Sequence, residues 1–147
     1  MSHIILPRHE FLQCTNYDSN LGNYRAKDIV ATGGQRFTFQ IPYPLKAIKS
    51  IKLLGNVSAG AAGVDRDIDF YFSWHQPGQA YDAGNTSDTT TLYNLSAYAN
   101  KTYSFNFTSI LTGLVSHDLL GLFVDHIAIG GAIRYFGIEL IYYPTEG

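Results

Sequence analysis

Residues 119–143 hold two strand-length runs, on either side of Gly130-Gly131, in which few side chains are polar. A strand in an antiparallel sandwich often alternates a dry face with a wet one. Gly-Gly can supply the two positive-φ positions of a tight hairpin turn. A two-residue turn there sets Phe123 opposite Ile138 and Leu119 opposite Tyr142 on one face. On the other face it sets His126 opposite Tyr135, Val124 opposite Gly137 and Leu120 opposite Ile141. Asp125 and Arg134 are the only charges on the first face; His126 and Glu139 interrupt the second. Neither face is mainly polar, and a one-residue slip only exchanges the two. The pattern predicts a hairpin covered on both sides. Either a loop or arm of the same chain covers the second side, or another subunit does. The second reading points to an assembly protein. It makes Leu120, Leu122, Val124, Tyr135, Ile141 and Tyr143 the subunit interface.

The rest of the chain supports an all-β reading. Residues 36–41 alternate, with Phe37, Phe39 and Ile41 inward, and Pro42 and Pro44 end the run. Residues 48–57 place Ile51, Leu53 and Val57 on one face. Residues 67–75 place Ile68, Phe70, Phe72 and Trp74 inward, against Asp67, Asp69, Tyr71, Ser73 and His75 outward. Residues 102–108 place Tyr103, Phe105 and Phe107 inward, and residues 109–114 suit one helical turn. No amphipathic helix and no internal repeat is visible. The expected fold is an antiparallel β-sandwich, a jelly roll of about eight strands with long connections. At 147 residues one domain is expected. Residues 36–147 form the sandwich, and residues 1–35, polar and without clear period, read as an extended N-terminal arm anchored by Tyr17 and Tyr24. Residues 77–91 read as a long polar loop.

Chemistry is sparse. The five histidines include no pair at ligand spacing, so no metal site and no cofactor is expected. Asp65, Asp67 and Asp69 lack the glycine and glutamate of a calcium loop. Cys14 is the only cysteine and reads as an incidental thiol. No carboxylate pair or nucleophile elbow suggests an enzyme. A net charge of −2 argues against nucleic acid as partner. The start lacks the basic region of a signal peptide, and no stretch reaches the ~20 apolar residues of a membrane span. Synthesis in a cytoplasm is the expectation, and the five Asn-X-Ser/Thr triplets read as turn chemistry. Only 15% of residues are charged, against a norm of roughly 25%. Eleven Tyr and nine Phe suit large contact surfaces. Tyr71, His75, Tyr81 and Asp82, with Asn85, are candidates for a glycan site beside the long loop.

Three segments resemble small structural proteins of tailed phages. The first is Phe39-Gln40-Ile41-Pro42 followed by Ile48-Lys49-Ser50-Ile51. The second is Asp67-Ile68-Asp69-Phe70-Tyr71-Phe72-Ser73. The third is Phe107-Thr108-Ser109-Ile110-Leu111-Thr112-Gly113-Leu114 with Gly121-Leu122-Phe123-Val124. The resemblance spans about residues 36–143 and extends, in outline, to the trimeric jelly rolls that decorate capsids. It implies a non-enzymatic virion structural protein of the decoration (cement) type. Its partners would be itself, as a homotrimer, and a major capsid or other virion protein. The alternatives are a carbohydrate- or receptor-binding module of a phage tail or fibre, and a subunit of a helical filament.

Overall fold

The computed structural model describes residues 5–62 and 65–145, with the backbone alone at Asp65 and Arg66. Residues 1–4, and Gly63 of the small-residue turn, lie outside the described residues. The described chain is all-β, with the strands β1 (Arg8–Gln13), β2 (Ser19–Leu21), β3 (Tyr24–Ile29), β4 (Gly34–Gln40), β5 (Leu45–Val57) and β6 (Asp65–His75). These are followed by β7 (Gly84–Asp88), β8 (Leu92–Asn94), β9 (Lys101–Asn106), β10 (Leu119–Ala128) and β11 (Ile133–Pro144). They form two antiparallel sheets. One has the order β2-β3-β11-β5-β9, with β1 also paired to β11; the other has the order β4-β10-β6-β7, with β8 also paired to β6. Without β1, β2 and β8, the order is β3-β11-β5-β9 over β4-β10-β6-β7, the double Greek key of a jelly roll. From β3 to β6, and again from β9 to β11, each connection carries the chain from one sheet to the other.

The unbroken alternations pack as expected. Phe37, Phe39, Ile51, Leu53, Ile68, Phe70, Phe72, Phe105 and Phe107 are all buried between the sheets. Phe70 is the hub, with ring centroids 4.8 Å from Phe107, 5.3 Å from Phe105 and 5.6 Å from Tyr93. Burying each such ring stabilises the fold by about 1.5–3 kcal/mol, and edge-on packing adds to that. Trp74 is on the inner face but only half-buried, where the sandwich opens beside its register partner Gly84.

The expected hairpin does not form. β10 pairs with β4 and β6, while β11 pairs with β1, β3 and β5 in the other sheet. Gly130-Gly131 is an arch between sheets, and neither glycine has positive φ. The arch packs on the turn after β5, where the Ser58 amide donates to the Ala132 carbonyl at 3.1 Å. A Cβ on Gly131 would come within 2.7 Å of Ser58 Oγ and 2.8 Å of the Ala61 amide nitrogen, so close approach is what requires glycine there.

The proposed subunit interface changes with it. Leu120, Leu122, Val124 and Tyr135 are 0–2% exposed and covered by the chain's own sheets, so they are core residues. Ile141 and Tyr143 alone of that set face outward, half-buried.

A β-bulge explains the misreading. Tyr135 pairs with Gly55 and Gly137 with Leu54, leaving Phe136 as the extra residue. The inward set is Ile133 and Tyr135 before the bulge, then Ile138, Leu140 and Tyr142 after it. The phase of the alternation shifts by one, so a strict period of two makes both faces look apolar.

The N-terminal arm is also corrected. β1 and β3 both pair with β11, and Cys14, Ala26 and Ile29 are buried, so residues 8–29 belong to the sandwich. The Cys14 amide donates to the Phe136 carbonyl at 3.1 Å, its Sγ donates to the Tyr135 carbonyl at 3.3 Å, and burial raises the pKa of the thiol. Residues 77–91 are not one loop but two turns around β7. Residues 109–114 form turns without a helix; Asn106 Oδ1 accepts from both the amide and the hydroxyl of Thr108.

One polar link crosses the core. His126, 2% exposed on β10, is joined through Nδ1 to the Val30 carbonyl and through Nε2 to the Tyr135 hydroxyl, both at 2.8 Å. The carbonyl can only accept, so Nδ1 carries the proton and Nε2 accepts from the tyrosine. Burial lowers the imidazole pKa to about 4.

Candidate functional site

The same bulge that shifts β11 helps build a concavity on the outer face of the six-stranded sheet. It turns Phe136 outward, onto the outer face of the six-stranded sheet, beside Leu54 of β5. Phe11 of β1, Leu21 at the end of β2 and Tyr24 at the start of β3 also line the concavity. The Tyr24 and Phe136 rings meet at 5.5 Å, tilted by 52°. Phe11 is 50% exposed and Tyr24 69% exposed. Together these side chains enclose an open groove of about 820 Å³, within the ~300–1,000 Å³ usual for ligand sites.

The polar margin is made of Gln13, Asn23, Asn56 and Thr102, with Arg25 as the one charged lining residue. None of the four neutral side chains makes a hydrogen bond to another described residue. Arg25 is held aside, with its Nη1 donating to the Tyr17 hydroxyl at 2.9 Å and its guanidinium 4.7 Å from the Tyr17 ring centroid. Tyr17 and Tyr24, expected as arm anchors, thus serve the groove. Phe11, Leu54 and Phe136 were not foreseen; the signal for Phe136 was the glycine after it.

Gly137 holds the groove in shape. Its φ is +149°, and a Cβ there would run into the Leu12 carbonyl oxygen and lie 2.9 Å from Gln13 Cα. Gly137→Ala is expected to lift β1 from β11 at a cost of about 2–3 kcal/mol. Urea unfolding would read this as a lower midpoint, with hydrogen exchange accelerated first in β1. A wild-type midpoint would show that β1 does not depend on that close approach.

The glycan candidates from the sequence are not gathered. Tyr71 lies in mid-β6 on the outer face of the other sheet, its ring 6.0 Å from Phe123 and its hydroxyl donating to Asp69 Oδ2 at 3.3 Å. Partial burial, then the neighbouring Asp67, raises the pKa of the Asp69 carboxyl. His75 is four residues farther along β6, about 13 Å away, in a shallow pocket with Tyr43 and His117. Tyr81 and Asp82 stand exposed in the turn beyond. Among the described residues no three His, Cys, Asp or Glu side chains form a metal-holding group, and no helix is long and apolar enough to cross a membrane.

No family model matches the chain, and no curated protein matches it. Among solved structures it is similar to part of one described as dimeric latent PorU from Porphyromonas gingivalis. Identity is 14% and the TM-score 0.45, over 96% of this chain and 13% of that one. A likeness this loose bears on neither mechanism nor partner.

Proposed function

We propose that this chain is a non-enzymatic structural protein of a virus particle, of the decoration type. It works by contact through the outer face of its six-stranded sheet. The observation that carries the reading is the run of apolar side chains on that face. Phe11, Tyr24, Leu54 and Phe136 line the groove, and beyond Glu139, which stands opposite Lys52 of β5, Ile141 and Tyr143 follow along β11. The other outer face also carries charge: Asp69 and Asp125 stand directly opposite each other, and Arg36 lies over Phe123. The virion role rests on the segment resemblance, because a jelly roll hosts many functions.

In this reading the Ile141–Tyr143 end of the face packs against a second copy, in a closed trimer. Light scattering coupled to size exclusion is expected to give a mass near three times 16.3 kDa. Ile141→Lys is expected to bring it to one chain mass with an unchanged melting temperature. A monomeric wild type, or a trimer indifferent to Ile141→Lys, would remove this interface.

A further inference from the structure

We infer that the small pocket lined by Asp118 and Trp74 takes the guanidinium of an arginine side chain from a protein partner. The inference goes beyond the proposed function and does not depend on it.

The carboxylate is the starting point. Asp118 stands just before β10 and is 3% exposed. Backbone bonds fix its place. Its amide donates to the Val115 carbonyl at 3.2 Å, and its carbonyl accepts from the Ile41 amide at 2.9 Å and from Gln40 Nε2 at 3.2 Å. Its Oδ2 accepts from the Val115 amide at 2.8 Å, whereas Oδ1 has no hydrogen-bond partner among the described residues. Among those residues the carboxylate makes no ion pair either. A buried carboxylate is as a rule paired, because an unpaired charge is costly away from water. Here the carboxylate lines a pocket of about 190 Å³ to which no lysine, arginine or histidine contributes.

The rest of the lining names the cation. Gln76 Nε2 donates to the Ser116 carbonyl at 3.1 Å, which leaves its Oε1 as a second free acceptor. Glycine backbone lies against the Trp74 indole at two places. A Cβ on Gly84 would collide with Nε1, and one on Gly113 would come within 3.2 Å of Cζ2, so neither position covers the ring with a side chain. One carboxylate and one amide oxygen, with no imidazole among the lining residues, make a poor metal site. With an indole beside them they suit a planar cation that donates in its plane and stacks on an aromatic ring, which is guanidinium. The pocket is smaller than the ~300–1,000 Å³ usual for whole ligands, and suits the head of one side chain. Val115, 49% exposed, also lines it. That apolar surface beside the charge would be covered by a partner's chain and left wet by a free cation.

Trp74 is the one tryptophan of the chain, so its indole N–H gives a single signal in a proton–nitrogen correlation spectrum. Titration of the full chain with acetyl-Gly-Arg-Gly-amide, at constant ionic strength, is expected to move that signal saturably, with a dissociation constant in the millimolar range. The same peptide with citrulline, neutral and of the same shape, should leave it in place. Asp118→Asn keeps an oxygen for the Val115 amide and is expected to weaken binding about tenfold. Gln76→Ala, which leaves the carboxylate untouched, is expected to weaken it about threefold. If Asp118→Asn fails to fold, Gln76→Ala and the citrulline peptide decide the matter. No saturable shift with the arginine peptide overturns the inference, as does equal binding of the citrulline peptide or undiminished binding by Asp118→Asn or Gln76→Ala. Agmatine binding more tightly than the peptide would assign the pocket to a free small cation and overturn the protein partner. A saturable shift with calcium chloride alone would overturn the organic cation.

Discussion

Leu122→Lys is expected to unfold this protein. Leu122 is 2% exposed, and its register partners on either side are Phe37 of β4 and Phe72 of β6. An ammonium at that position would sit among aromatic rings between two sheets. The substitution loses the burial of a leucine and adds an unpaired charge to an apolar interior, for more than about 4 kcal/mol in all. A domain of this size has only about 5–15 kcal/mol to lose. Circular dichroism and urea unfolding should show a chain without a cooperative transition, or one with a midpoint far below wild type. A well-folded variant would mean that the second sheet does not close over β10. If β10 and β11 made a hairpin with an intersubunit face, the same substitution would leave a folded monomer.

Acid is expected to destabilise the fold through His126. Its pKa is about 4 in the folded chain, against 6.5 for an unperturbed imidazole. Burial is the main cause; the Val30 carbonyl and Asp125 oppose it in part. Between those two values the unfolded chain binds the proton and the folded chain does not. Stability is therefore fully present above about pH 6.5 and falls as the pH drops toward 4. The whole step is worth roughly 3 kcal/mol. Protonation would also force Nε2 to become a donor facing the Tyr135 hydroxyl, which would then have to reverse its own hydrogen bond. Urea midpoints measured from pH 7 to pH 4 should decline in the wild type, and His126→Gln should flatten much of that decline. An equal slope in the variant would assign the acid sensitivity to other groups.

Legibility in the sequence followed the regularity of each strand. β4, β5, β6 and β9 were readable because their inward residues keep a period of two, and Phe37, Phe70 and Phe105 went where that period placed them. β11 was not, because the bulge at Phe136 shifts its phase in mid-strand. The arch at Gly130-Gly131 was misread because two glycines serve a tight turn and a close backbone approach equally well. β2 and β3 were missed, and β1 was legible only as a short strand near Phe11 within an arm, for a different reason. Their side chains are mostly exposed, and backbone pairing, of β1 and β3 to β11 and of β2 to β3, holds them in the sheet, leaving only Ala26 and Ile29 as buried members of the strands themselves. Tyr17 and Tyr24 stood out by residue type alone. The groove did not, because it draws on six strands and the β2–β3 turn, distant in sequence.

The place of β11 has a consequence for how the chain is made. It is the last strand of the sandwich to be synthesised, yet β1, β3 and β5 all pair with it. Until it emerges, β5 has only β9 beside it, and β1 has no partner at all. The first sheet therefore cannot close during translation, and rings such as Phe70, Phe105 and Phe107 stay open to water and to one another's neighbours on the ribosome. Closing this sheet waits for β11 and then has to join it to β1, far away in sequence, in one long-range step. Such folding is slow, and it leaves the nascent chain exposed to aggregation in the interval.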